Sequence, residues 1–173
     1  MLPPQTNTKP MLMDACVLID FIKADRFVLK LMANYVGPLY VLTTVIEEIN
    51  EIKNIKEFEA LGLIVIEPEL EDAFHASGSK DSISFQDKLC LFTAKRYGFI
   101  CVTNDRELRK QCEKNNVEFL WGLQLIARLH RCGGIQLEKS IKIVRDIQRN
   151  NPKHINEEIV KRFIRIINDQ VRV

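Results

Sequence analysis

The chain has 173 residues, of which 46% are hydrophobic and 28% charged, with 25 Lys and Arg against 23 Asp and Glu. These proportions exclude collagen-like, coiled-coil and disordered proteins and predict one soluble domain, since a chain of this length buries roughly two-thirds of its unfolded surface. The charge is unevenly spread, because residues 128–173 carry 11 basic against five acidic side chains. This basic segment predicts either a polyanionic or acidic partner or a solvated outer face.

Five cysteines form neither a CxxC pair nor a regular framework, which indicates reduced thiols and a cytoplasmic protein. The N-terminal sequence MLPPQTNTKP has no basic segment followed by an apolar one. No apolar run approaches the roughly 18 residues of a membrane span. We therefore expect a protein that is neither exported nor bound to a membrane.

Short segments rich in β-branched residues alternate with longer segments of helical period, which predicts an α/β fold with a parallel sheet. The predicted strands are 11–14, 39–42, 63–67, 99–103 and 117–121. The segment VIEEINEIKNIKEFEAL predicts a single amphipathic helix between the second and third strands. Its expected apolar face consists of Val45, Ile49, Ile52 and Ile55.

The second half of the chain continues with helices separated by turns. SISFQDKLCLFTAKRYG predicts a helix capped by Ser84 and ended by Gly98, with the loop HASGSKDSIS before it. A charged helix follows Asp105, and WGLQLIARLHRCGG begins another helix. LEKSIKIVRDIQR and NEEIVKRFIRIIND predict a C-terminal helical hairpin. We therefore divide the chain into a main domain, 11–135, and a helical extension, 136–173, packed on the same domain.

Four acidic residues fall where predicted strands end or where helices begin: Asp14, Glu48, Asp87 and Asp105. Open α/β sheets bind their ligands at the carboxyl ends of the strands. Clustered carboxylates repel one another, and a hard divalent cation such as Mg²⁺ or Mn²⁺ offsets that repulsion. Such an ion activates water and stabilises charge on a phosphoryl oxygen, so the pattern predicts phosphodiester hydrolysis.

The segments MDACVLIDF, VLTTVIEEI, SFQDKLCLFTAKRYGFICVTND and VEFLW resemble the PIN-domain ribonucleases, which include the VapC toxins of toxin–antitoxin pairs. Their order and separation carry the resemblance, which covers about residues 11–122. It implies a three-layer fold with a central parallel sheet of about five strands flanked by helices, and makes 11–135 the catalytic domain. It also implies an RNA substrate, an antitoxin partner and a homodimer. The four acids would bind Mg²⁺ or Mn²⁺.

Three details of the resemblance affect the expected site. Glu47 competes with Glu48 as the second acid, and Glu48 is preferred because the family usually places this acid directly before an aliphatic residue. Cys16 stands where the family commonly has Ser, Thr or Asn, so an orienting hydroxyl or amide is missing. Thr103 and Asn104 match the polar pair that precedes the last acid, and we expect both to support it by hydrogen bonds.

Basic side chains offer a route for nucleic acid towards these acids. Lys80 and Lys88 are the nearest in sequence, and Arg145 and Arg149 in the extension would neutralise RNA phosphates if they face the crevice. If they face outward they form a solvated surface or dock an antitoxin segment. Trp121 follows the last predicted strand, and we expect it in the core rather than as a platform for a base.

Two hypotheses from different classes follow. The first is a metal-dependent endoribonuclease that acts as the toxin of a type II toxin–antitoxin system, and a related enzyme would cleave flap or single-stranded DNA. The second is a catalytically degenerate PIN-like binding or assembly module, which Cys16 and the basic extension allow.

Overall fold

A computed structural model describes residues 8–169. Residues 1–7, which hold most of the N-terminal sequence analysed above, and residues 170–173 of the predicted extension lie outside the described residues. The strands are β1 (Met11–Met13), β2 (Leu39–Leu42), β3 (Leu63–Ile66), β4 (Ile100–Val102) and β5 (Phe119–Leu120). They form one sheet in the order β3-β2-β1-β4-β5, and every pair is parallel. All five predicted strands are confirmed, with ends shifted by at most two residues.

Helices cover both faces of this sheet, which confirms the predicted three-layer α/β fold. The helices are α1 (Ala15–Asp25), α2 (Val28–Tyr35), α3 (Thr43–Ile46), α4 (Ile55–Ala60), α5 (Leu70–Gly78), α6 (Phe85–Tyr97), α7 (Arg106–Lys114), α8 (Gly122–Arg131), α9 (Leu137–Asn150) and α10 (Glu157–Asp169). Helices α1, α2, α8, α9 and α10 pack together as one group, and α5, α6 and α7 pack together as another.

The central strand β1 lies at the middle of the core. Met11, Leu12 and Met13 are all buried, because helices shield both faces of the sheet and adjacent strands pair with both edges of β1. A parallel strand that is covered in this way has no solvent face and therefore reads as a continuous apolar run. This is why the sequence pattern locates the strand correctly.

The single helix predicted over VIEEINEIKNIKEFEAL is wrong. The chain forms only the short α3 before residue 47 and resumes helix at Ile55 in α4. Asn54 adopts an extended backbone, and its Oδ1 accepts a hydrogen bond from the Glu57 N–H at 3.0 Å, so it starts a new helix instead of continuing an old one. Ile49 and Ile52 are buried without helical structure, whereas Ile55 is 45% exposed.

Helix α5 is absent from the sequence-based prediction, which placed its last residues in the loop HASGSKDSIS. Two large apolar side chains of α5, Leu70 and Phe74, are exposed, so the segment shows little of the pattern of a buried helix. An ion pair attaches it to α6 instead. The Arg96 guanidinium donates from Nε and Nη2 to the buried Asp72 carboxylate and from Nη2 to Glu71.

The predicted C-terminal helices are confirmed as α9 and α10. Helix α9 packs against α1, α8 and α10 through buried Ile143, Val144 and Ile147. Helix α10 contributes Val160 and Phe163 to the same core. Among residues 8–169, no helix is long and apolar enough to cross a membrane.

Gly134 provides a test of how closely α2 and α8 pack. A Cβ at this position would meet the Leu129 side chain and would lie 2.8 and 2.9 Å from Cγ and Cβ of Tyr35. Gly134→Ala should therefore lower the free energy of unfolding by about 1–3 kcal/mol, measured by urea denaturation.

Gly78→Ala is the matched control, since a Cβ there meets nothing within 4 Å and alanine favours a helix over glycine. The control should be neutral or slightly stabilising. Equal stability of the Gly134 variant and the wild type would show that α2 and α8 are less closely packed than described.

Candidate active site

The candidate site lies at the carboxyl ends of β1 and β4, the two adjacent strands at the centre of the sheet. The chain leaves β1 towards β2 and β3 on one side, and β4 and β5 lie on the other side. The Asp14 N–H donates to the Val102 carbonyl at 3.0 Å, which extends the pairing just beyond both strands. Strand order reverses between β1 and β4, so the connections that follow these two strands run to opposite sides. Such a reversal leaves a crevice of the kind that binds ligands in open α/β sheets.

Asp14 is the most buried of the predicted acids, with 6% of its surface exposed. It caps α1, and its Oδ1 accepts from the Ala15 N–H at 2.7 Å. Its Oδ2 accepts from the Thr103 hydroxyl at 2.8 Å and from the Cys16 thiol at 3.0 Å. Burial raises the pKa of Asp14, the three donors lower it, and the nearby charge of Asp87 raises it further.

Asp87 is held in place by the start of α6. Its Oδ2 accepts from the Ser84 hydroxyl at 2.8 Å and from the Ser84 N–H at 3.2 Å, while the Asp87 N–H donates to Ser84 Oγ at 3.1 Å. These reciprocal bonds form a capping box, which fixes the carboxylate relative to the helix. The predicted cap at Ser84 is thereby confirmed, and it also orients a predicted site residue.

Glu48 lies just beyond α3 and is the third acid of this group. Partial burial raises the pKa of Glu48, and the charges of Asp14 and Asp87 raise it further. The structure therefore brings Asp14, Glu48 and Asp87 within electrostatic range of one another, although they come from three distant parts of the sequence. The segment that carries Glu48 is not helical, so Glu48 reaches the site from irregular backbone.

Asp105 is placed differently from the other three acids. It caps α7, where its Oδ1 accepts from the Leu108 N–H at 2.7 Å, and it is exposed to solvent. Its charge acts on Arg109, one turn further along α7. Asp105 thus lies at the rim of the crevice. Over residues 8–169, no three His, Cys, Asp or Glu side chains stand in an arrangement that could hold a metal ion as they are.

Thr103 links the two central strands chemically as well as through the backbone. Its hydroxyl donates to Asp14 and accepts from the Asp105 N–H at 3.0 Å. Cys16 supplies the donor that its sequence position was expected to lack, because its thiol points at Asp14 Oδ2. Burial and the Asp14 charge raise the pKa of this thiol, so Cys16 keeps the proton that it donates.

Asn104 has partners other than the predicted ones. Its Nδ2 donates to Asp20 at 3.2 Å and its Oδ1 accepts from the Gly122 N–H at 3.0 Å, so it orients α8 rather than the Asp105 carboxylate. Asp20 lies on α1 and is buried, with 5% of its surface exposed. The other oxygen of Asp20 accepts from Asn151 Nδ2 at 3.1 Å. Sequence offers one signal for it, an acid among the apolar residues of α1.

The four basic residues predicted to bind nucleic acid are placed unequally. Lys80 is exposed in the segment before α6, and Lys88 donates to the Ser79 carbonyl at 2.8 Å, which holds that segment against α6. On α9, Arg145 forms an ion pair with Glu157, and Arg149 pairs with Asp146.

No family model, no curated protein and no solved structure matches this chain. What the site could bind therefore follows from the chemistry of its carboxylates. The charge of Asp87 raises the pKa of Asp14, and the charges of Asp14 and Asp87 raise the pKa of Glu48. Carboxylates placed in this way suit a hard divalent cation, because a cation would replace their repulsion with attraction. Asp14 has an Oδ1 lone pair that no described hydrogen bond uses.

Repulsion within this group gives a prediction for stability. The pKa of Glu48 is raised in the folded protein, so its ionised form weakens folding as the pH rises through that pKa. Glu48→Gln should therefore raise the melting temperature at neutral pH in EDTA. Because Glu48 is exposed, the gain should stay below about 1 kcal/mol, or roughly 2–4 °C.

The gain should shrink towards zero as the pH falls below about 4, where Glu48 becomes protonated in both folded and unfolded chains. The neighbouring Glu47→Gln is the matched control and should leave the melting temperature unchanged. The opposite result, with Glu47→Gln alone stabilising the fold, would assign the second acid of the site to Glu47.

Proposed function

We propose that this protein is a metal-dependent endoribonuclease of PIN type. The observation that carries the proposal is the convergence of Asp14, Glu48 and Asp87 at the carboxyl edge of an all-parallel sheet, beside the point where strand order reverses. Acids brought together at a cost in electrostatic free energy need a compensating ligand. Among cations, Mg²⁺ and Mn²⁺ have the matching preference for oxygen.

Asp14, Glu48 and Asp87 would hold the ion, and Asp105 would join them from the rim. When bound, the ion would activate a water molecule and stabilise the charge that develops on a phosphoryl oxygen. The chain's own contribution is orientation. Three donors fix Asp14 and the capping box fixes Asp87, so two of the carboxylates keep one geometry without the ion.

RNA as substrate, a toxin role within a type II toxin–antitoxin pair, an antitoxin partner, a homodimer and a cytoplasmic location all belong to this proposal. They rest on the sequence resemblance to the PIN-domain ribonucleases and VapC toxins. The second candidate is a binding or assembly module that has the same fold without cleavage. One observation favours it, namely that within residues 8–169 no three acids already stand at ion-binding positions.

The proposal predicts that Asp14→Asn abolishes cleavage and preserves the fold. Asparagine keeps one oxygen, which can accept from the Ala15 N–H, and its amide nitrogen can donate to the Thr103 hydroxyl in a reversed bond. The substitution nevertheless removes the charge that an ion requires. Cleavage of RNA in Mn²⁺ should fall at least about 100-fold, since even partners that only orient a ligand cost up to that much. Asp25→Asn, at the far end of α1, is the control and should cleave normally.

Mapping new RNA 5′ ends in cells that express each variant would name the target. Discrete ends with growth arrest, present for Asp25→Asn and absent for Asp14→Asn, are the expected result. A folded Asp14→Asn protein that cleaves like the wild type would contradict the proposed function. Calorimetric titration with Mn²⁺ distinguishes the two candidates. A nuclease should show a Mn²⁺ site that Asp87→Asn removes, whereas a binding module should show no such site.

A further inference from the structure

Trp121 is exposed beside the carboxylates, contrary to its expected place in the core. It follows Leu120 at the end of β5, and the Leu120 carbonyl accepts from the Thr103 N–H at 2.9 Å. The indole therefore leaves the sheet at the edge where Thr103 supports Asp14. It is 38% exposed, although burying an aromatic ring of this size would contribute strongly to stability.

Arg109 stacks on this indole. Its guanidinium carbon lies 3.6 Å from the ring centroid, a close cation–π contact. Arg109 stands one turn beyond Asp105 on α7, and its charge interacts with that of Asp105. Its Nη1 is buried and finds no hydrogen-bond acceptor within residues 8–169. A guanidinium with unused donors next to a candidate phosphodiesterase site suits a phosphate.

A groove continues from Trp121 between α8 and α10. Its volume of about 360 Å³ lies near the lower end of the range for small-ligand sites. Trp121, Leu123, Ala127 and Phe163 give it apolar walls, and Arg162 adds a positive charge. The side chain of Arg162 forms no ion pair and no hydrogen bond within residues 8–169.

We propose that Arg109, Trp121 and the groove beside them form a binding site for single-stranded nucleic acid, with an unpaired base stacked on Trp121 and phosphates on Arg109 and Arg162. An exposed ring beside cations that form no ion pair within residues 8–169 is the combination that binds single strands. A duplex keeps its base faces stacked inside and cannot use the ring. The proposal deepens the proposed function and rests on it for the substrate class.

The position of the site decides between nucleic acid and an acidic peptide as its occupant. Arg109 joins the groove to Asp105 at the rim of the carboxylate crevice, so one extended ligand could contact both. That continuity is required of a substrate strand and is not required of a peptide. The small groove also suits one or two bases better than a helix that needs anchors over several turns.

Trp121 is the sole tryptophan of the chain, so its fluorescence reports on this site alone. A single-stranded RNA of about 12 nucleotides, added in EDTA to prevent cleavage, should quench the emission, and the same RNA annealed to its complement should not. Trp121→Ala should weaken binding of fluorescein-labelled RNA about 10-fold to 100-fold by anisotropy. Trp121→Phe keeps a ring and should recover most of that affinity.

Arg109→Ala should weaken binding and reduce the slope of log K against log salt by about one. Lys142→Ala is the control, since Lys142 pairs with Asp146 on the exposed side of α9, and it should leave the slope unchanged. Absence of quenching by single-stranded RNA, with unchanged affinity in Trp121→Ala, would overturn the proposal. Quenching by an acidic peptide but not by RNA would overturn it too and assign the groove to a protein partner.

RNA cleavage in Mn²⁺, measured separately, distinguishes a failure of the proposed binding site from a failure of the proposed nuclease function. If RNA quenches Trp121 but the wild type cleaves nothing, the binding site stands and the nuclease proposal fails. If cleavage depends on Asp14 but is the same in Trp121→Ala, the nuclease proposal stands and this binding site fails.

Discussion

Burying the Asp14 carboxylate at the end of the central strand removes it from water, and nearby donors have to replace the lost hydration. Those donors come from two directions. Ala15 and Cys16 belong to the first turn of α1, and Thr103 arrives from β4 through parallel pairing of the strands. The register of β1 against β4 therefore determines whether Asp14 can be buried at all. Everything else at the crevice is arranged around this charge.

Much of this architecture can be predicted because it is encoded locally. The central strands β1 and β4, which are buried throughout, appear as uninterrupted apolar runs. Ser84 and Gly98 bound α6 through a capping box and a left-handed C-cap, signals that lie within a few residues of the helix. The acids that follow strands can be found in the same way, since strand ends converge at one edge of a parallel sheet.

Features that depend on distant partners are not visible in the sequence. The apolar spacing of Ile49 and Ile52 is typical of a helix, yet both are buried from irregular backbone because Asn54 starts a new helix after them. Arg109 and Trp121 meet only when α7 packs beside the end of β5, and no local signal pairs them. The same holds for Asn104, whose partners lie on α1 and α8.

The contact between Asp20 and Asn151 joins residues 131 positions apart. A ribosome makes the chain from its N-terminus, so the four acids of the crevice are all synthesised well before Asn151. Until α9 docks on α1, the nearly buried Asp20 carboxylate lacks one of its two amide donors, and its hold on Asn104 is correspondingly weaker. The order of synthesis thus delays completion of the crevice until most of the chain has been translated.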